Sequence, residues 1–447
     1  MSLHLNNNEE RTEALINSKC ASLAKIIELN QEALIDILLE YESFETAKDE
    51  VWRSLDCLKN ISKEFKYLSY GKVDLMCTIF PINLPLYSLV LFAIVPSFVA
   101  NEVVVRPPVL MREVLQEIVE LLNLSEIVLG IKFVDMERSL FNEAFISIAD
   151  VVMFTGRYEN VKNVQEACPD ALFIYNGAGV NPVVVTSSAD LESAVDKTVE
   201  ARVFNSGQDC HGPDMIFVHE KIVDDFQQRL VTKLCEIKVG DYQDRDVKVG
   251  PLIDVDNLSV VNSFFNTHAK SIVYGGEIDF KRGIVYPTVI KENVRDLRTF
   301  TTTEFFSPVF YLLIYRNNND LRKYFSQESY SDFAMYTSIF GNTPYSSEMP
   351  NTVILQDKIL NDVERGNDPF GGYGLKANYA SYHGVYHCRP ILLSREISTY
   401  LQEYGPKKES MPKRREKVAV GGMRSHENIP SFSRKTSPRN LAMISKK

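Results

Sequence analysis

The sequence predicts an α/β protein built on parallel, doubly wound sheets. Three observations support this fold class. Residues 8–68 have apolar side chains at helical spacing. From residue 73 onward, short apolar runs rich in β-branched residues alternate with helical segments. A second alternation of the same kind follows residue 179. Strand–helix alternation is typical of a parallel sheet covered by helices.

The individual elements follow from the position of each apolar run. In the first alternation, strands are predicted at 73–80, 103–105, 126–129 and 151–154, and a helix at 110–122. The second alternation contains two helices, 191–204 and 222–235, and strands at 215–218, 288–290, 309–314 and 352–355. We therefore place a domain boundary close to Gly179.

The overall composition is that of a soluble globular protein. The chain has 447 residues, 45% hydrophobic and 24% charged, enough for two or three domains. Its seven cysteines have no C-x-x-C spacing, which favours free thiols and predicts neither a disulfide framework nor a metal site. Prolines interrupt the longest apolar run, 84–100, so we expect no membrane span. The polar first residues do not match a signal peptide, and we expect a cytoplasmic protein.

The last segment, 406–447, differs from the rest of the chain in charge. It holds 12 Lys and Arg against 3 Asp and Glu, whereas the whole chain has a net charge of −10. Few large apolar residues occur in it, so we expect a disordered basic tail that chemistry does not need. The tail is either a solubilising extension or a dock for the acidic body, a nucleic acid or an acidic carrier protein. We expect no specific nucleic-acid partner.

One stretch points to chemistry. A polar loop containing glycine presents Cys210 between a predicted helix and a predicted strand. A thiolate on such a loop is a good nucleophile, and nearby backbone N–H groups can stabilise a negative oxygen. A lone cysteine is more often a small buried hydrophobe. The whole stretch, Phe-Asn-Ser-Gly-Gln-Asp-Cys at 204–210, favours the nucleophile, because it resembles the Phe-x-x-Gly-Gln-x-Cys signature of the aldehyde dehydrogenase superfamily.

Further segments resemble the same superfamily in the same order. Residues 80–86, Phe-Pro-Ile-Asn-Leu-Pro-Leu, resemble the segment whose asparagine helps to hold the oxyanion, and this implies that role for Asn83. Residues 369–374, Pro-Phe-Gly-Gly-Tyr-Gly, resemble the turn at the substrate mouth. The resemblance therefore implies an acyl pocket that contains Phe204 and Phe370. Gly-Gly at 275–276 followed by Tyr-Pro-Thr at 286–288 resembles a family hairpin.

Three other segments imply a cofactor site. Asn-Glu-Val-Val-Val-Arg-Pro-Pro at 101–108 resembles the strand end that meets the adenosine ribose, so Arg106 is expected there. Phe-Thr-Gly-Arg at 154–157 resembles the turn facing the pyrophosphate and implies Thr155 and Gly156. Glu-Phe-Phe-Ser-Pro-Val at 304–309 implies that Glu304 holds the nicotinamide ribose and that Phe306 packs on the cofactor.

The nucleotide itself is left open between NAD and NADP. NAD-preferring relatives often carry a glutamate where this chain has Val109. A cation at Arg106 without that carboxylate would tolerate a 2′-phosphate.

The departures from the family pattern bear on mechanism. The glutamate that activates the deacylating water is replaced by Asn176, and an amide cannot act as a general base. Asn176 is still expected in the acyl pocket. The arginine usually found five residues after the cysteine is Met215 here. For His211 we favour a structural role, because the side chains of adjacent residues often point apart.

Together with the charge of the last segment, the resemblance implies four regions. They are a helical N-terminus with a Rossmann-type cofactor domain (1–178), a catalytic domain (179–387), a bridging segment (388–405) and the basic tail (406–447). The bridging strand, expected at 391–397, would pair with a neighbouring subunit, so a homo-oligomer, a dimer, is expected.

The implied chemistry is oxidation of an aldehyde through a thiohemiacetal on Cys210, with hydride passing to NAD or NADP. Three alternatives remain for the second half of the reaction, the release of the acyl group. In the first, water hydrolyses the thioacyl enzyme. In the second, coenzyme A or a carrier-protein thiol takes the acyl group, and this step can also run in reverse. In the third, the chain is a non-catalytic relative. Loss of the glutamate at Asn176 favours the thiol acceptor, and retention of Cys210 with Asn83 opposes the non-catalytic alternative.

Overall fold

The structure is a computed structural model that describes residues 2–68, 70–177, 179–298, 300 and 304–405. The predicted basic tail, 406–447, lies outside the described residues. No helix within the described ranges has the length and apolar character needed to cross a bilayer.

Sixteen helices run through these residues. They are α1 Ser2–Leu29, α2 Gln31–Leu38, α3 Phe44–Lys59, α4 Phe65–Leu68, α5 Pro85–Leu89, α6 Arg112–Leu121, α7 Leu124–Ile127, α8 Arg138–Ala144, α9 Val161–Gln165, α10 Leu191–Val203, α11 Val223–Cys235, α12 Asn257–Thr267, α13 Asn318–Phe325, α14 Glu328–Phe333, α15 Leu360–Val363 and α16 Leu393–Tyr404. A π-helical turn, Val90–Ile94, extends α5, and short 3-10 turns lie between several helices.

The strands are β1 Val73–Ile79, β2 Ala100–Arg106, β3 Ile131–Phe133, β4 Val151–Gly156, β5 Leu172–Gly177, β6 Val183–Val185, β7 Ile216–His219, β8 Ile272–Tyr274, β9 Ile278–Asp279, β10 Ile284–Val285, β11 Thr288–Asn293, β12 Val309–Tyr315, β13 Tyr336–Phe340, β14 Val353–Gln356, β15 Asn378–Tyr382 and β16 Val385–His387. Two seven-stranded sheets contain all of them except β9 and β10, which form a separate hairpin.

The first sheet has a parallel core in the order β3-β2-β1-β4-β5, and β15 and β16 extend it by antiparallel pairing. Successive strands are added on one side of β1 up to β3 and then on its other side from β4. This change in the direction of strand order is that of a Rossmann-type doubly wound sheet. Alternate side chains of β1 face opposite ways: Met76 packs against the N-terminal helices, and Cys77 packs in a separate core on the other face. Burial on both faces explains why these strands read as nearly continuous apolar runs.

The second sheet has the order β14-β13-β6-β7-β12-β11-β8, parallel except for β8. Both of its faces are also buried. On β7, Phe217 packs with helices α12 to α14, whereas Ile216 and Val218 pack with α10 and α11. The predicted α/β fold class is therefore confirmed. The chain passes from the first sheet to the second between β5 and β6.

Three predictions about the chain were wrong in detail. Residues 391–397 do not form a strand: α16 begins at Leu393, because Leu393, Ile397 and Tyr400 recur at helical spacing and are buried together on the first core. Only Ile391 makes an isolated bridge, to Phe370.

The chain also returns to the first sheet before residue 387, because Asn378–Tyr382 pairs with β5. The predicted 179–387 domain therefore ends too late in the sequence. In the first half, the strand predicted at 126–129 is wrong, since α7 covers Leu124–Ile127 and the strand follows at Ile131–Phe133.

Candidate functional site

A cavity of about 880 Å³ lies where the two sheets meet. On one side are residues at the carboxyl ends of β1, β2, β4 and β5, which we call the cofactor edge. On the other side are residues just before β6, β7, β12 and β13. Ligands of doubly wound sheets bind outside the carboxyl ends of the strands. The cavity therefore joins a ligand-binding edge of the first sheet to the amino ends of the second.

The nucleophile loop, residues 204–214, connects α10 to β7 and turns sharply. Its backbone is left-handed at Asn205 (φ 48°), Ser206 (φ 55°) and Gly207 (φ 77°). A β-carbon at Gly207 would lie 2.3 Å from the carbonyl carbon of Ser307, so a side chain does not fit there. The turn brings Cys210, which is half-buried, to the wall of the cavity.

Two side-chain amides hold the nucleophile loop in place. Asn83 Nδ2 donates to the Gln208 carbonyl at 3.0 Å, and Asn181 Nδ2 donates to the Cys210 carbonyl at 2.8 Å. Asn83 also lines the cavity, at the foot of α5, where the preceding turn passes through Leu84 in a left-handed conformation (φ 49°). The structure thus brings Asn83 and Cys210 to one site, as the sequence predicted. Asn181 is a residue that the sequence analysis did not select.

The Cys210 thiol is held in its protonated form. Its pKa is raised well above the usual range, first by burial and then by the negative charges of Asp209 and Glu304. Because the thiolate is the reactive form, this thiol would have to lose its proton to act as the predicted nucleophile.

His211 lines the cavity beside Cys210, whereas the sequence analysis expected the two adjacent side chains to point apart. Its Nδ1 lies 2.5 Å from Asp209 Oδ1, and its Nε2 lies 3.0 Å from Asn361 Oδ1. The Asp209 carboxylate and the hydrogen bonds raise the pKa of His211, although burial alone would lower it. Both ring nitrogens are engaged, so His211 is a poor candidate for the base. It balances the charge of Asp209 beside the nucleophile.

A buried arginine that the sequence analysis missed lies beneath the nucleophile loop. Arg202, on α10, donates through Nε and Nη2 to the Ser307 carbonyl at 2.8 and 2.5 Å, and its Nη1 lies 3.4 Å from Asp214 Oδ1. A β-carbon on Gly212 would lie 2.7 Å from Arg202 Nη1. The sequence carries no signal for Arg202, because Ser307, whose carbonyl it binds, lies 105 residues later in the chain.

The cofactor edge carries buried polar atoms with no hydrogen-bond partner among the described residues. They include Thr155 Oγ1, Asn176 Oδ1 and, across the cavity, Glu304 Oε1. Buried polar groups are normally paired, so such atoms at a ligand-binding edge are suited to a bound polar ligand. Burial and the neighbouring Asp214 carboxylate raise the pKa of Glu304 to about 8. Thr155 and Asn176 face each other across β4 and β5.

The phosphate end of a dinucleotide would meet a different arrangement. The segment after Gly156 is a 3-10 turn, Tyr158–Asn160, followed by the five-residue helix α9, so no long helix begins there. Two of the arginines that line the cavity lie at this end. Arg106 Nε donates to the Met136 carbonyl at 3.2 Å, and Arg157 Nη2 lies 3.6 Å from Asp254 Oδ2.

The three predicted aromatic residues are divided between cavity and core. Phe306, left-handed at φ 46°, and Phe370 line the cavity. Phe204 does not line it: its ring lies 6.0 Å from the His211 ring and 5.5 Å from the Arg53 guanidinium. The expected place of Phe204 in an acyl pocket is therefore wrong.

The fold and the site define a class of proteins in which one cysteine lies between a Rossmann-type sheet and a second parallel sheet. Within that class, the chain belongs to the aldehyde dehydrogenase family, whose model matches residues 6–373. The resemblance found in the sequence, and the aldehyde dehydrogenase-like fold, are thereby confirmed.

Curated relatives match only part of this chain. A lactaldehyde dehydrogenase of Methanococcus aeolicus is 24% identical over 280 residues, which is 60% of this chain and 58% of the relative. The mitochondrial aldehyde dehydrogenase of Homo sapiens is 28% identical over 239 residues, 51% of this chain and 46% of the relative. The chain thus spans about half the length of the curated relatives that it matches.

Solved structures match more of the fold. A glyceraldehyde-3-phosphate dehydrogenase from Methanocaldococcus jannaschii, complexed with NADP, has a TM-score of 0.72 at 20% identity and covers 88% of this chain and 91% of its own. An oxidoreductase from Marinobacter aquaeolei has a TM-score of 0.73 at 17% identity, covering 87% and 84%. At this identity the likeness concerns the fold alone.

Proposed function

We propose that this protein oxidises an aldehyde, with Cys210 as the nucleophile and NAD or NADP as the hydride acceptor. The observation that carries the proposal is the pairing of Cys210 with Asn83 in one cavity, where Asn83 and Asn181 hold the loop on either side of the cysteine. A family cysteine kept with its amide donor opposes a non-catalytic role.

In the first step, the Cys210 sulfur adds to the aldehyde carbonyl, the thiol proton passes to the Asp209 carboxylate beside it, and the carbonyl oxygen becomes the oxyanion. Asn83 Nδ2 has two N–H bonds and spends one on the Gln208 carbonyl. The other is free to donate to the developing oxyanion together with the Cys210 backbone N–H. Donors that are already fixed in place stabilise such a charge without reorganisation.

The polar atoms of the cofactor edge fit a nicotinamide nucleotide. Thr155 and Asn176, with Glu304 opposite, offer buried polar atoms that need partners, and Arg106 and Arg157 supply positive charge for phosphates. When bound, the nucleotide accepts the hydride that leaves the thiohemiacetal. Glu304 is the group that we expect to orient the nicotinamide ribose, and Phe306 the ring that packs on the nucleotide.

For release of the acyl group, we favour a thiol acceptor over water. Asn176 lies on β5 at the cavity wall and its amide cannot take a proton from water. His211 uses both ring nitrogens within the protein. A thiolate acceptor, coenzyme A or a carrier-protein arm, needs no water-activating base. Hydrolysis with another base, such as Glu304 above about pH 8, is the alternative.

Further expectations rest on this function. We propose a cytoplasmic location, a homo-oligomer and an aldehyde or acyl-thioester substrate. An acidic carrier protein is the macromolecular partner that suits a basic tail. Size-exclusion chromatography with light scattering tests the oligomer, and binding of an acidic acyl carrier protein with and without residues 406–447 tests the partner.

The test of the function is stopped-flow absorbance of the reduced cofactor. We expect a burst equal to the number of active sites, slow turnover in water, and relief by coenzyme A or pantetheine. Asn176→Glu should raise hydrolysis by roughly 10²–10⁴-fold, the usual contribution of a general base. Fast turnover of the wild type in water alone would favour hydrolysis. No reduced cofactor with any aldehyde, and no adduct on Cys210 by mass spectrometry, would contradict the proposed function.

A further inference from the structure

Three consecutive side chains converge at the nucleophile loop. One ligand atom each from Asp209, Cys210 and His211 lies within 4.8 Å of the other two. A sulfur, an imidazole nitrogen and a carboxylate oxygen are the ligands that zinc and its thiophilic relatives prefer. The sequence spacing did not indicate this cluster of three ligands, because metal ligands usually occur as pairs separated by a few residues.

The convergence follows from the loop geometry. Asp209 and His211 are two residues apart and face the same side, where Asp209 Oδ1 accepts from the His211 backbone N–H at 3.2 Å and contacts Nδ1 at 2.5 Å. Cys210 lies between them at the cavity wall. The carboxylate and the imidazole are almost fully buried, with side chains 3% and 4% exposed. Their conformations are therefore fixed by packing before any ion arrives.

One oxygen of this group is left open. Asp209 Oδ2 is buried and makes no regular hydrogen bond to a described residue. The Cys210 thiol is close to the Asp209 carboxylate, and their contact is among the causes that raise the pKa of the thiol. A buried carboxylate oxygen without a regular hydrogen bond, beside a thiol and an imidazole, can therefore accept a cation that replaces their protons.

We propose that Asp209, Cys210 and His211 form a binding site for a thiophilic divalent cation of the Zn²⁺ and Cd²⁺ class. The fourth coordination position would face the cavity. The cation takes the place of the thiol proton and of the proton shared by His211 and Asp209, and both protons are released to solvent. An occupied site blocks the nucleophile reversibly. That consequence rests on the proposed role of Cys210, whereas binding itself does not.

The geometry requires only small side-chain movements. Zinc bonds of about 2.0–2.3 Å in a tetrahedron separate the ligand atoms by roughly 3.3–3.8 Å. The three atoms, at most 4.8 Å apart, must therefore close by about 1 Å at the widest pair while the Asp209–His211 contact opens. Asn361 already accepts from His211 Nε2, which fixes Nδ1 toward the metal position.

Binding is measured with Cd²⁺ and Zn²⁺ alone, on full-length protein freed of metal by chelator. The background carries Cys235→Ser and Cys388→Ser, because Cys235 is exposed and Cys388 half-buried. We expect one equivalent of Cd²⁺, an ultraviolet cadmium–thiolate band, and release of protons in weakly buffered solution. Zn²⁺ should displace Cd²⁺ and remove the band.

Two variants test the cysteine and histidine ligands, and a third variant is the control. Cys210→Ala should lose the band, and His211→Asn should weaken affinity at least roughly 10–100-fold, the loss typical of disturbed metal-ligand shells. His268→Asn is the matched control, because His268 also pairs with a carboxylate, Glu292, at 2.8 Å but has no cysteine beside it. The control should bind Cd²⁺ like the wild type.

The proposal is overturned if stoichiometric binding is absent, or if the band survives in folded His211→Asn and Cys210→Ala proteins. Where a variant fails to fold, wild-type protein alkylated at Cys210 replaces it: retention of the band after alkylation also overturns the site. Bound Cd²⁺ should in turn protect Cys210 from iodoacetamide. If the metal binds but aldehyde turnover never occurs, the proposed function fails and the metal site stands.

Discussion

The cofactor edge and the nucleophile loop treat polar atoms in different ways. At the cofactor edge, Thr155 Oγ1 and Asn176 Oδ1 are buried without partners. At the nucleophile loop, donors from Asn83, Asn181 and Arg202 are spent on backbone carbonyls that fix the turn and its neighbour. The first region is arranged to be completed by a ligand. In the second, the backbone is fixed before a ligand arrives, although Asp209 Oδ2 stays without a regular hydrogen bond. Changes in the loop should therefore affect catalysis and stability, and changes at the edge should affect affinity.

The largest effect is expected from Cys210→Ala. The variant should lose aldehyde-dependent reduction of NAD(P)⁺ while keeping its circular dichroism and thermal midpoint, because a small half-buried side chain is removed at the cavity wall. Cys235→Ala, at an exposed cysteine on α11, is the matched control and should keep its turnover. Near-normal turnover of Cys210→Ala would remove the cysteine from the chemistry.

The buried Arg202–Asp214 pair beneath the nucleophile loop should contribute to the free energy of unfolding. Arg202→Met leaves Asp214 buried without its cation, and breaking a buried pair in this way costs about 3–5 kcal/mol of unfolding free energy. Burial holds the pKa of Asp214 near 6 even with Arg202 present. Loss of the Arg202 charge raises this pKa further. The deficit in urea unfolding should thus be largest at high pH and shrink as the pH falls toward 6, because Asp214 of the variant takes up a proton before that of the wild type.

Two variants separate this effect from a general loss of charge. Arg229→Met breaks an exposed pair with Asp225 and should leave the urea midpoint close to wild type. Arg202→Met combined with Asp214→Asn should recover part of the lost stability. If the Arg202→Met protein is as stable as the wild type, the Arg202–Asp214 pair does not stabilise the nucleophile loop.

Across the cavity, Glu304 should give cofactor binding a pH dependence. Its pKa of about 8 means that the carboxyl is neutral below that pH and ionised above it. An ionised carboxylate accepts ribose hydroxyl bonds more strongly, by about 1 kcal/mol, so affinity should rise several-fold as pH passes through 8. Calorimetric titration with cofactor at a series of pH values measures this.

Glu304→Gln should flatten that profile, because an amide does not titrate. Glu236→Gln, at an exposed glutamate, should leave it unchanged. A wild-type profile without an inflection near 8 would show that Glu304 does not meet the cofactor.

The smallest effect is expected from Arg106→Ala. Arg106 lies near Arg112 and Arg138, whose charges, after burial, lower its pKa. This positive group, without a carboxylate at Val109, suits a 2′-phosphate. The variant should lose roughly fivefold to tenfold in affinity for NADP⁺ and less for NAD⁺, since the guanidinium is partly solvated. Lys132→Ala, exposed on β3, is the control. Affinities are measured by fluorescence titration. If Arg106→Ala keeps the wild-type preference between NADP⁺ and NAD⁺, Arg106 does not contact the 2′-phosphate.

Much of the architecture was accessible from the sequence because strands and helices obey local periodicity. The β1 and β2 runs and helix α10 are written in apolar spacing that does not depend on distant partners. The same logic failed for α16, where a short segment contains both β-branched residues and the helical spacing of Leu393, Ile397 and Tyr400. Burial of that face on the first core decided between them.

For the site, the sequence by itself selected Cys210, Asn83 and Asn176, since each lies in a short motif. They are the predicted nucleophile, its predicted amide donor and the residue in place of the family's general base. Only the tertiary structure decided which charges surround the cysteine. Arg202 reaches the loop from α10 and bonds to a carbonyl 105 residues later in the chain. Asp209 and His211 converge because a left-handed turn places them on one side. Electrostatic environment depends on distance in space, and chain folding rather than residue order sets that distance.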